Sequence, residues 1–160
     1  MDSNNILSKM SSMRLDGMYS LYKNMVGSGQ CDAITNEEFL TMLINAEWDN
    51  RENNRVERAL KEAKFRYQAA IENIRYDDDR GLDKSQIIRL SDCSYITQAK
   101  NILITGFTGT GKSYLASAFG HQACYNGYRV MYHNAQKLFA KLKNAKADDT
   151  YCKLIAKIAK

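Results

Sequence analysis

Ile102-Leu103-Ile104-Thr105-Gly106-Phe107-Thr108-Gly109-Thr110-Gly111-Lys112-Ser113-Tyr114-Leu115-Ala116 is the stretch whose reading decides the fold. A short apolar, partly β-branched run opens it, as a buried parallel strand would. Gly106–Ser113 then matches G-x-x-x-x-G-K-[ST] in full, and helix-forming residues follow. Each residue type has a physical task in such a loop. Glycines permit backbone angles and close approaches that a Cβ would block. The ring of backbone N–H groups at a helix N-terminus, with its positive dipole end, cradles phosphates. Lys112 reaches the β- and γ-phosphates as a mobile charge, and the Ser113 hydroxyl is the candidate Mg²⁺ ligand. The loop therefore predicts binding of ATP with Mg²⁺.

Downstream, the helix is expected over Lys112–Tyr125 with Leu115, Ala116, Phe119 and Ala123 inward, stopped by Asn126-Gly127. Tyr128–Tyr132 reads as a second strand. Strand, helix and parallel strand make a right-handed βαβ unit. Ala135–Ala145 and Asp149–Ala159 read as two further helices. Only two strands precede Lys160, and a two-stranded parallel sheet cannot cover both faces. The expectation is an α/β P-loop NTPase with an incomplete parallel sheet, cut short before the acidic strand that holds Mg²⁺ and orients water. Residues that bind but poorly hydrolyse ATP follow from that reading.

Upstream, the chain contains no proline, so glycine carries the punctuation. Asn4–Val26 places Ile6, Leu7, Met10, Met13, Met18, Leu21, Tyr22 and Met25 at helical spacing, closed by Gly27-Ser28-Gly29. Thr35 and Glu38 form a capping box for a helix whose expected buried face is Phe39, Leu40, Leu43, Ile44 and Trp48. Glu47–Ala70 continues helical. Arg51, Arg55 and Arg58 share one face there, as a DNA-contacting stripe would. Glu47/Arg51, Glu57/Lys61 and Glu62/Arg66 are i,i+4 pairs, and they favour a solvated ion-paired face instead. Asp77-Asp78-Asp79-Arg80-Gly81 reads as a solvated linker turn rather than a metal site. Asp83 caps a short helix through Leu90, and Ser94–Ala99 supplies one more turn. The domain reading is a small all-α domain over 1–75, a linker with short helices over 76–100, and part of the P-loop domain over 101–160.

Composition narrows the function classes. No apolar run approaches the roughly 18 residues that cross a bilayer, and the N-terminus lacks the pattern of a signal peptide, so a cytoplasmic protein is expected. Cys31, Cys93, Cys124 and Cys152 lie far apart, without the close pairs of a zinc ribbon. The net charge of +5 is uneven. From Asn101 onward Lys112, Arg129, Lys137, Lys141, Lys143, Lys146, Lys153, Lys157 and Lys160 face only Asp148 and Asp149, which points to a polyanion, nucleotide or nucleic acid. His121 and His133 read as ordinary polar residues, though a strand exit would bring His133 towards phosphate.

Over nearly its whole length the chain resembles the IstB-like transposition helper ATPases of bacterial insertion sequences, relatives of the DnaC-type helicase loaders within the AAA+ class. The resemblance rests on Ala46-Glu47-Trp48, Arg80-Gly81-Leu82-Asp83, Asn101–Gly106, Gly109–Ala116, Gly120-His121-Gln122-Ala123-Cys124 and Gly127-Tyr128. It implies nucleotide binding by Gly106, Phe107, Thr108, Gly109, Thr110, Gly111, Lys112, Ser113 and Tyr114, with Lys112 as catalytic residue and Ser113 on the metal. It also implies homo-oligomeric assembly on double-stranded DNA and recruitment of a transposase. Phe107-Thr108 departs from the Pro-containing start common in these loops. The family's Walker B acids, sensors and arginine finger match nothing before Lys160. A helicase loader shares the same loop and βαβ unit, and a non-catalytic interaction module is the third reading.

Overall fold

A computed structural model describes residues 3–29, 34–76 and 81–159. Cys31 and residues Asp77–Arg80 of the expected linker turn lie outside them. The chain divides into two compact units, Met1–Glu57 and Arg58–Lys160.

In the first unit, α1 (Ser3–Ser12) and α2 (Asp16–Ser28) replace the single helix expected over Asn4–Val26. The break is a Schellman cap: Arg14 takes φ 57°, its N–H donates to the Ser11 carbonyl and the Leu15 N–H donates to that of Met10. Hydrophobic spacing runs through this cap undisturbed, which is why periodicity alone misses it. Gly29, in the left-handed region at φ 67°, closes α2 as the glycines predict. The third helix, α3 (Asn36–Ala63), opens on the expected capping box. The Thr35 N–H donates to Glu38 Oε2 at 3.0 Å, and the Glu38 N–H donates to Thr35 Oγ1 at 3.3 Å.

The buried face of α3 differs from the one expected. Leu43 is buried, but Leu40, Ile44 and Trp48 are exposed. The buried side is instead rotated towards Leu43, Ala46 and Glu47, where α2 approaches closely at Gly17. The Glu47 carboxylate accepts from the backbone N–H groups of Gly17 and Met18 at 3.0 and 3.3 Å, and from Arg51 Nε at 2.7 Å. It therefore satisfies N–H groups at the start of α2 that no intrahelical acceptor serves. Burial raises the Glu47 pKa, but the bonds from Arg51, Met18 and Gly17 outweigh it and hold the carboxyl below its ordinary range.

In the second unit α3 stops at Ala63, short of the expected Ala70. Lys64 turns left-handed at φ 55°, and the Ala63 carbonyl accepts from the Tyr132 N–H at 3.0 Å. A tertiary bond takes over from the helical ladder there. A 3₁₀ turn (Ile71–Asn73), α4 (Lys84–Ser91) and α5 (Ser94–Thr97) lead to the loop. Asp83 caps α4 as expected, accepting from the Ser85 N–H at 2.8 Å. Then come α6 (Lys112–Tyr125), α7 (Ala135–Ala147) and α8 (Tyr151–Ile158). Ala69, Ile74, Ile87, Leu115, Ala118 and Phe119 form the core, with Ile104 and Tyr114 packed against it. Of the residues expected inward on α6, Leu115, Phe119 and Ala123 are buried and Ala116 is exposed; Ser117 and Ala118 take the inner face.

Among the described residues no strand forms. Residues 102–105 and 128–132 pass through the unit without pairing into a ladder, and Leu103 is 89% exposed. A parallel strand needs a hydrogen-bonded neighbour on at least one edge. Tyr132 instead donates to the end of α3. No helix among the described residues is long and apolar enough to cross a membrane.

Candidate nucleotide-binding site

The loop Gly106–Gly111 runs from the core-packed Ile104 to the first turn of α6. Its glycines do what their chemistry permits: Gly106, Gly109 and Gly111 adopt φ of 150°, 86° and 88°, angles that side-chain-bearing residues rarely take. Gly111 sits at the N-cap of α6 with no side-chain cap. The first N–H groups of that 14-residue helix thus point, with the positive end of its dipole, out of the loop.

The Phe107 carbonyl organises the turn. It accepts from Thr110 Oγ1 at 2.9 Å and from Lys112 Nζ at 2.5 Å, so the ammonium folds back over the loop. Phe107, Thr108 and Ser113 are exposed, and the Ser113 carbonyl accepts from the buried Ser117 hydroxyl, which ties the first turn of α6 to the interior. Tyr114 lies half-buried against the core and also lines the cavity.

Above the loop is a cavity of about 580 Å³. Gly106, Phe107, Gly109, Thr110, Gly111, Lys112 and Tyr114 line one side of it. Asn73, Ile74, Arg75, Gly81 and Leu82 line the other. Sequence reading missed this second wall. Arg80-Gly81-Leu82-Asp83 stood out as a sequence feature, but the proximity of Gly81 and Leu82 to the loop is a tertiary fact with no local periodicity to betray it. A half-apolar cleft of this size, with convergent N–H donors and one cation, fits a phosphorylated ligand with a flat base.

His133 does not line this cavity. It sits with Arg129, Lys141, Lys157 and Lys64 around a separate cleft of about 490 Å³. His121 stacks on Phe65, ring centroids 4.3 Å apart, with Nε2 buried and without a hydrogen-bond partner. Neither histidine is thus placed to touch phosphate at the loop. Along α3 Arg51 pairs with Glu47, as the ion-paired reading of this face expects, and Arg55 pairs with Glu52. Among the described residues no cluster of His, Cys, Asp or Glu could hold a metal ion.

The sequence profile of the IstB-like ATP binding proteins matches residues 8–160. The chain belongs to the IstB-like ATP binding protein family. It is 34% identical over 148 residues to a protein of Sinorhizobium fredii named as an insertion sequence ATP-binding protein, y4pL; the match covers 92% of this chain and 60% of the relative. It is 33% identical over 155 residues to the protein named as the ATP-binding protein of insertion sequence IS1162 in Pseudomonas fluorescens, covering 96% and 67%. A third relative, named for IS21 of Pseudomonas aeruginosa, is 30% identical over 112 residues, 70% of this chain and 42% of its own length. The chain thus spans roughly half to two thirds of the IstB-like proteins it matches.

Proposed function

We propose that this IstB-like chain binds the triphosphate of ATP with Mg²⁺ at Gly106–Ser113 and serves as a transposition helper, assembling on double-stranded DNA and assisting a transposase. One observation carries the nucleotide part: three glycines at positive φ deliver an uncapped helix N-terminus into the floor of a two-walled cavity. The backbone N–H groups of Gly109–Ser113 bind phosphate oxygens. Lys112 exchanges the Phe107 carbonyl for the β- and γ-phosphates, replacing one charge-assisted bond by stronger ion pairing. The Ser113 hydroxyl, exposed at the start of α6, orients the metal. Bound Mg²⁺ would neutralise charge on the transferred phosphoryl group. Asn73–Arg75 and Gly81–Leu82 hold the base and sugar end.

Residues 102–105 and 128–132 are then strands-in-waiting of an AAA+ parallel sheet, recruited once neighbouring strands pair with them. The cleft of Arg129, Lys141 and Lys157 offers its charge to DNA phosphate. The helper role, rather than helicase loading, is supported by the insertion-sequence names of the relatives. Affinity capture with this protein, in Mg-ATP, against the transposase of its own element and against replicative helicase tests it. Capture of the transposase is expected; capture of the helicase alone would overturn the proposal.

A further inference from the structure

Helix α7 keeps only three of its 13 residues against the rest of its unit. Leu138 and Leu142 are half-buried, Ala145 is buried, and the others are exposed. Its charged residues are Lys137, Lys141, Lys143 and Lys146, with no carboxylate in the helix. Among the described residues none of the four forms an ion pair, and Lys146 lies over the Tyr151 ring, 5.2 Å from its centroid. A solvated helix face normally mixes signs, as α3 does with Glu47/Arg51 and Glu52/Arg55. Lys137 even stands in the first turn, where the positive end of the helix dipole disfavours a cation. The stability of α7 does not account for this lysine set.

At about 100° per residue the faces of α7 separate. Leu138, Leu142 and Ala145 form the inner side. Opposite them Gln136, Ala140, Asn144 and Ala147 make an exposed stripe of amide and methyl side chains. Lys137 and Lys141 flank that stripe on one side and Lys143 and Lys146 on the other, the two pairs roughly 170° apart around the axis. Two cationic edges separated by a helix diameter of about 10–12 Å match the phosphate rows of the B-form major groove, about 12 Å wide. The Lys141 edge adjoins the cleft that also holds Arg129 and Lys157, so one phosphate strand can follow both. Between the edges, Asn and Gln amides pair with adenine N6 and N7, and alanine meets the thymine methyl. Gln136 and Asn144 lie about 12 Å apart along the helix, the length of about three to four base pairs. The A-form major groove of duplex RNA is too narrow for such entry. An interfacial membrane helix turns its apolar side outwards, and that of α7 is turned in.

We propose that α7 lies in the major groove of duplex DNA, with Lys141 on the phosphates of one strand, Lys143 and Lys146 on those of the other, and Gln136 and Asn144 on base edges. This rests on the DNA-binding role proposed for the chain, and it adds to that role a groove, a register and a preference for adenine.

Dimethyl sulfate footprinting of a mixed-sequence duplex, with the full chain and Mg-ATP, tests the placement, because the reagent methylates guanine N7 in the major groove and adenine N3 in the minor groove. Protection of guanine N7 with adenine N3 left reactive is expected; the reverse pattern would overturn the proposal. Lys143→Ala with Lys146→Ala should reduce the log–log salt slope of duplex binding by about 2, and Gln136→Ala with Asn144→Ala should leave it unchanged. Selection from a randomised duplex pool should enrich adenine at two positions about three to four base pairs apart, and Gln136→Ala should lower the preference at one of them at least about fivefold. These side chains are exposed and alanine is the strongest helix former, so the variants keep the fold. An unchanged slope in the lysine variant, or a selected pool without adenine preference, would overturn the groove reading while DNA binding itself stood. Absence of duplex binding by the unsubstituted protein, even at low salt, would remove the DNA-binding role and the groove reading together.

Discussion

Gly17→Ala should destabilise the helical unit, although the same change in an exposed helix interior normally stabilises by about 1 kcal/mol. A Cβ built at Gly17 falls 2.3 Å from the Ala46 carbonyl oxygen and 2.8 Å from the Glu47 Cα, both backbone atoms of α3. Real Cβ contacts essentially never fall under 3.0 Å, so α2 must retreat by at least 3.0 − 2.3 = 0.7 Å. The Gly17 and Met18 N–H bonds to Glu47, at 3.0 and 3.3 Å, then lengthen past useful geometry. Each is a bond to a charged acceptor, contributing about 1.5–3 kcal/mol. Allowing for partial relaxation and for water reaching the freed groups, the net loss is about 2–4 kcal/mol. Gly27→Ala, in the same helix with nothing within 4 Å of its Cβ, supplies the opposite sign, a gain of about 0.5–1 kcal/mol. Urea unfolding followed by Trp48 fluorescence reads both. A Gly17→Ala midpoint at or above that of the unsubstituted protein would refute the close approach of α2 to α3 and the role given to Glu47.

Three further outcomes follow. Burial holds the His121 imidazole below its ordinary pKa, against the raising effect of a hydrogen bond with the Tyr67 backbone. The unfolded chain therefore takes up the proton first, so the stability due to neutral His121 is present above about pH 6.5 and is lost as pH falls through the lower folded value. His121→Phe, which keeps the stack on Phe65, should flatten the pH dependence of the melting temperature between pH 7 and 5; an unchanged slope would remove His121 as its source. Duplex DNA affinity should fall with salt, with a log–log slope near about −3 for three or four phosphate contacts, and Lys141→Ala with Lys157→Ala should reduce that slope by about 2. A flat salt response would leave those lysines as a solvated face. These 160 residues alone should hydrolyse ATP barely above background, because an arginine finger supplies about 10³–10⁵ in rate and no acidic partner for the metal matches in the chain; robust DNA-stimulated phosphate release would contradict this.

What was legible in the sequence was the chemistry with fixed spacing. Gly106–Ser113, the Thr35/Glu38 box, the Asp83 cap and the limits of α6 each depend on contacts within a few residues, and the pattern carries them. Elements that depend on distant partners were less legible. Ile102–Thr105 has strand composition, but a strand needs a neighbour. Leu40, Ile44 and Trp48 have helical spacing, but which side of α3 turns inward is decided where Gly17 of α2 meets the Glu47 carboxylate, a contact between residues thirty apart in the chain. The left-handed residues Arg14 and Lys64 end helices without glycine or proline, so no punctuation announces them. In the nucleotide site the loop was visible, and the wall of Asn73–Arg75 and Gly81–Leu82 was not.

The central claim is that Gly106–Ser113 binds ATP through its backbone and Lys112. Isothermal titration calorimetry of the chain with Mg-ATP, beside Lys112→Ala, tests it most directly. Measurable binding by the unsubstituted protein is expected, weakened by about 1.5–3 kcal/mol in the variant, roughly tenfold to a hundredfold in Kd. Equal affinity in the two proteins would contradict the account.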